Sequence, residues 1–167
     1  MINQNSYDKQ LNSWIDNEKI AANLLNLVGQ LMYDRGIEIV LFRQNILDVG
    51  VTELMRLVSY AENVVERKIK LDTALKLTEE ITRMELPPSK LDLGLLTAEF
   101  LEENTNDHKI FLKNKLQNII STKINFSPRD VVLFGFGRIG RLAARELIRQ
   151  AGKGQQMRLK AIVVRNI

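Results

Sequence analysis

Apolar side chains recur at three- and four-residue steps through Leu11, Trp14, Ile15, Ala21, Ala22, Leu25, Val28, Leu31 and Met32. That spacing lines one face of an α-helix and predicts a long amphipathic helix, which Gly36 is placed to stop. Ile37 to Phe42 is continuously apolar apart from Glu38 and reads as a strand or buried extended piece. Gly50 marks a turn, after which helical spacing returns from Val51 to Glu66 and again from Leu71 to Met84. Pro87-Pro88 ends that run, because proline lacks an amide donor and restricts the residue before it. Asp92 is suited to cap a helix reaching about Glu103, and Asp107 to cap another from His108 to Ser121, with Asn104-Thr105-Asn106 as the turn between them. Residues 1–125 therefore read as a compact, mostly helical unit without internal repeat or low-complexity tract.

The pattern then changes. Residues 122–130 are polar and carry Pro128, as a hinge would, and Val131 to Phe134 is a short buried-strand pattern. A helical stretch follows from Arg138 to Ala151, then a break at Gly152-Lys153-Gly154 and a second strand from Leu159 to Val164. Strand, helix and strand have the size of one right-handed βαβ unit. The fold expected is a mostly α N-terminal region followed by α/β: a helical extension over 1–125, and over 126–167 the first βαβ unit of an incomplete Rossmann fold.

Charge divides the chain at the same place. Residues 1–125 carry 15 Lys and Arg against 18 Asp and Glu, whereas residues 126–167 carry 9 against 2. A net +7 over the second segment attracts phosphate, on a small ligand or on nucleic acid. The chain has no cysteine and a single histidine, so disulfides, thiolate metal sites and a cysteine nucleophile within these residues are excluded. No metal site is expected. The polar start lacks a secretion signal and no apolar run approaches a membrane span, so a cytoplasmic protein without membrane contact is expected.

The turn between strand and helix carries the chemistry. Gly135-Phe136-Gly137-Arg138-Ile139-Gly140 is a complete G-x-G-x-x-G. In such a turn the first glycine permits the tight bend, the second lets backbone approach a pyrophosphate, and the third packs helix against strand. The helix that follows points its free amides and the positive end of its dipole at the turn, with the amides of Arg138 and Ile139 best placed to donate. A glycine turn that only joins strand to helix is the bland reading. The flanking strand, helix and second strand favour nucleotide binding.

Arg138, Arg141, Arg145 and Arg149 form one stripe, opposite Ile139, Ala143, Ala144, Leu147 and Ile148. The stripe reads as a solvated or subunit-facing edge. No aromatic residue interleaves with it as a nucleic-acid platform requires, so no nucleic-acid partner is expected. The acidic residue that normally ends the second strand and binds the ribose is missing, and the strand ends Val163-Val164-Arg165-Asn166. Arg165 is thus a candidate for a 2′-phosphate, which leaves NAD and NADP both open as cofactors.

The run from Val132 to Arg141 resembles the start of the cofactor domain in glyceraldehyde-3-phosphate dehydrogenases, where an N-G-F-G-R-I-G-R string is typical. Phe134 replaces the asparagine and the other letters stand. The resemblance implies that Gly135, Phe136, Gly137, Arg138, Ile139 and Gly140 form the dinucleotide loop, with Arg138 and Ile139 on the pyrophosphate and Asn166 where ordinary members have Asp. The family's first strand begins near the N-terminus, so the preceding residues look like the helical extension of a divergent bacterial branch. Family members oxidise an aldehyde through a thioester on a cysteine, with a histidine base, both from a later domain. No catalytic residue is therefore assigned in this chain, and His108 reads as a surface or packing residue.

The leading expectation is the N-terminal part of a phosphorylating, NAD(P)-dependent aldehyde dehydrogenase, inactive alone. Its partners would be the dinucleotide, the missing catalytic domain of the same protein and further copies in a homo-oligomer. A helical interaction or regulatory module, whose partial nucleotide fold is not catalytic by itself, stands as the alternative.

Overall fold

The computed structural model describes residues 4–65, 69–103, 105–121, 127–151 and 157–165. The chain is mostly helical, with a small mixed sheet and a separate parallel pair of strands. Helix α1 spans Gln4–Arg35, about 48 Å at 1.5 Å per residue. Gly36 ends it as its sequence suggests: φ is +66° there, and its amide donates to the Met32 carbonyl at 2.9 Å.

Strand β1 (Ile37–Leu41) is buried along nearly its whole length, as a continuous apolar run implies. It pairs antiparallel with β2 (Gln44–Asn45) through a two-residue turn. After α2 (Val51–Val65) and α3 (Leu71–Arg83), strand β3 (Ser89–Asp92) returns parallel to β1, giving the order β2-β1-β3. The helical unit expected from periodicity therefore contains a three-stranded sheet. Its core joins Leu24, Val28 and Leu31 of α1 to Ile37, Ile39 and Leu41 of β1 and Leu77 and Ile81 of α3. Arg35 fastens α1 to the end of α3, donating to the carbonyls of Ile81, Thr82 and Met84 and so satisfying acceptors that a helix terminus leaves open.

Both capping aspartates act as expected. Asp92 accepts from the Leu95 amide at the start of α4 (Leu93–Glu102), and Asp107 from the Ile110 amide at the start of α5 (His108–Lys115). The single helix expected from His108 to Ser121 is two, because Leu116 leaves helical geometry with φ −99° and ψ +9° before α6 (Gln117–Ser121). His108 stacks on Phe100, ring centroids 4.4 Å apart, in the packing role its sequence position implied. Leu11 and Trp14, which share the apolar helical face read from the spacing, are exposed, and full burial along that face begins at Ala21.

The C-terminal segment forms β4 (Arg129–Phe134), α7 (Arg138–Ala151) and β5 (Met157–Val163), with β4 and β5 parallel. Each strand begins two residues before its apolar run, and an irregularity between Val131 and Val132 shifts the register at mid-sheet. The expected segment boundary near 126 and the break at Gly152-Lys153-Gly154 lie outside the described residues.

Candidate functional site

The glycine loop sits where β4 ends and α7 begins, and each glycine meets a different demand. Gly135 has φ +97°, a conformation that strains any residue with a side chain, and its amide donates to the Val163 carbonyl at 2.7 Å. A Cβ on Gly140 would overlap the carbonyl of Gly135, so turn and helix approach each other only without a side chain. A Cβ on Gly137 would meet no atom of the protein and its φ is not in the left-handed region, so nothing internal requires glycine there.

The charge at this end is unbalanced. The first turn of α7 holds no acidic residue, although carboxylates are the side chains that helix N-termini favour. It holds Arg138 and Arg141 instead, and with Arg145 these are exposed and without an ion pair among the described residues. Positive side chains therefore add to the positive end of the helix dipole, around amides not used by the preceding strand. Such an arrangement suits an anion. Phe136 and Ile139 stand in solvent beside the loop, Ile139 at 80% exposure.

Because β4 and β5 are parallel and Phe134 pairs with Val163, the end of β5 comes to the same edge as the glycine loop. Arg165, two residues beyond β5, is exposed at that end. Asn166 lies outside the described residues. The sequence-predicted site residues from Gly135 to Gly140 and Arg165 are thus gathered at one end of the parallel pair.

The arginine stripe is not uniform. Arg149, at the far end of α7, donates to both oxygens of Glu146 and to Asp48 of the helical unit at 2.6 Å. Those two carboxylates raise its already high pKa further, which keeps it charged. Near this junction lies a cleft of about 150 Å³ lined by Glu38, Asn45, Ser89, Lys90, Arg149 and Met157 among others. Sequence patterning gave no sign of this contact, which joins residues a hundred positions apart.

The apolar side of α7 is unevenly covered. Ala144 is buried and Ala143 and Leu147 are half-buried, but Ile139, Leu142 and Ile148 are exposed. On the sheet face away from α7, Val132 and Phe134 alternate outward and Phe134 is 85% exposed. Parallel strands are ordinarily covered on both faces, so this face is one on which further structure would be expected to pack.

Among the described residues no group of three or more His, Asp or Glu converges as a metal site would require, and no helix is long and apolar enough to cross a membrane. No protein-family pattern matches the chain. Over 148 residues, 85% of its length, the chain is 31% identical to a glyceraldehyde-3-phosphate dehydrogenase-like protein of Pseudomonas aeruginosa (strain UCBPP-PA14), of which it spans 32%. A match of that extent runs far beyond the C-terminal segment into the helical unit. Sequence likeness and glycine loop together point to the glyceraldehyde-3-phosphate dehydrogenase-like proteins as the group this chain resembles, over about a third of such a relative's length.

Proposed function

We propose that this chain is the N-terminal part of a glyceraldehyde-3-phosphate dehydrogenase-like oxidoreductase and that its loop from Gly135 to Gly140 holds the pyrophosphate of NAD or NADP. Gly137 carries the reading. Fold geometry accounts for the glycines at 135 and 140, whereas the open space at 137, in the middle of the G-x-G-x-x-G, suits a ligand that approaches the backbone closely. The unneutralised first turn of α7 and the name of the related protein support the same assignment.

In this reading the amides of Arg138 and Ile139 donate to pyrophosphate oxygens, and Phe136 flanks the approach. Arg165, standing where an acidic ribose ligand is absent, meets a 2′-phosphate. The bound dinucleotide would accept hydride from an aldehyde-derived intermediate. This chain's own residues bind and orient it, and the nucleophile and base come from a catalytic domain of the same protein. That domain, with the further strands of the nucleotide fold, is the proposed cover for the exposed face of Val132 and Phe134 and for Ile139 and Leu142.

The test is a titration of the isotope-labelled chain with pyrophosphate, NAD and NADP, following backbone amides by NMR. The amides of Gly137, Arg138 and Ile139 are expected to shift, and Gly137→Val to weaken binding by about tenfold or more, roughly 1.4 kcal/mol, with an unchanged melting temperature. Equal affinity in wild type and Gly137→Val would overturn the assignment. Arg165→Ala is expected to weaken NADP more than NAD; an equal loss for both would remove the 2′-phosphate role.

A further inference from the structure

The stretch of α1 from Tyr7 to Trp14 buries no side chain. From Tyr7 to Trp14 every side chain is exposed, although Tyr7, Leu11 and Trp14 are 58%, 40% and 56% exposed on a single stripe. The stripe keeps strict alternation of four and three residues through Tyr7, Leu11, Trp14, Glu18, Ala21, Leu25, Val28 and Met32, which is a heptad seam. From Ala21 onward that seam enters the core of the helical unit. Up to Trp14 it lies in solvent, on a stretch too short to be a stable helix by itself.

We propose that this arm pairs antiparallel with the arm of a second copy of the chain, so that the seam continues across a two-fold axis. The order of residues selects both the occupant and the direction. In the antiparallel register Leu11 meets Trp14 of the second copy, Trp14 meets Leu11, and Tyr7 meets Glu18, whose carboxylate accepts from the phenol hydroxyl. Glu18 has no hydrogen bond or ion pair among the described residues. Beside the seam, Asp8 falls near Ile15 and Gln10 near Asn17, so no like charges face one another. A parallel pair would instead set Glu18 against Glu18. The face is therefore complementary to itself, as an isologous interface requires, and its Trp and Tyr are residue types that dominate interface energetics.

Size-exclusion chromatography with light scattering on the whole chain measures the association. Wild type is expected at twice the chain mass, and Leu11→Asp with Trp14→Asp at the chain mass, with helical circular dichroism reduced by no more than the arm's own residues, because both side chains are exposed and outside the core. Orientation is read by cross-linking, made clean by the absence of native cysteine. A Tyr7→Cys chain mixed with a Glu18→Cys chain is expected to form the mixed disulfide in preference to either self-linked product. A monomeric wild type, a dimer that survives the double substitution, or efficient self-linking of the Tyr7→Cys chain would each overturn the proposal.

Discussion

Lys115 shows how single side chains hold the helical unit together. It reaches Glu99 at 2.9 Å and Glu103 at 2.8 Å, tying α5 to the end of α4, and its ammonium sits over the Phe111 ring. Hydrogen bonding to Glu103, then to Glu99, pushes its pKa up to about 12 from an ordinary 10.5. A folded-state pKa above the unfolded one adds stability that is complete below the unfolded value and disappears as pH rises through the folded value. Wild type is therefore expected to melt above Lys115→Gln at neutral pH, with the difference shrinking from about pH 10.5 and vanishing beyond about 12. A difference independent of pH across that range would assign the effect to packing on Phe111. At the glycine loop the same scale separates roles: Gly140→Ala is resisted by the fold itself, whereas Gly137 is left free by it.

Asp92 acts at the level of elements, because one carboxylate serves three of them. It caps α4 through the Leu95 amide and accepts from the amides of Phe42 and Arg43, at 2.9 and 3.1 Å, in the turn between β1 and β2. Phe42 and Arg43 lie at φ +45° and +69°, positions ordinarily filled by Gly, Asn or Asp, and the Phe42 ring closes over Gly94. Asp92→Ala is expected to lose about 2 kcal/mol in urea denaturation, the upper end for a cap, since the turn loses its acceptor as well. Asp92→Asn should recover part of the loss. The aspartate cap was legible because capping is local. The hairpin was not, because Phe-Arg carries no turn signal and its geometry is held by a residue 50 positions away. β3 escaped notice for a related reason: it has one buried apolar residue, Leu91, and exists by pairing with β1. Strand, loop and helix from Arg129 to Ala151 were readable because glycine spacing and apolar periodicity agree there.

At the scale of the whole molecule, the described residues hold two sheets, β2-β1-β3 among the helices of the first part and β4-β5 beside α7. Sequence reading singled out the glycine loop but not its surroundings: Ile139 and Ile148, on the side of α7 opposite the arginine stripe, are exposed. Arg149 of α7 pairs with Asp48 of the helical unit, a contact that only three-dimensional proximity reveals. The first turn of that 14-residue helix borders the glycine loop and its last turn is grasped by the helical unit, about 20 Å away. The loop and the contact with the helical unit thus occupy opposite ends of one helix, and the mouth of the loop, with Phe136 and Ile139 in solvent, is uncovered among the described residues.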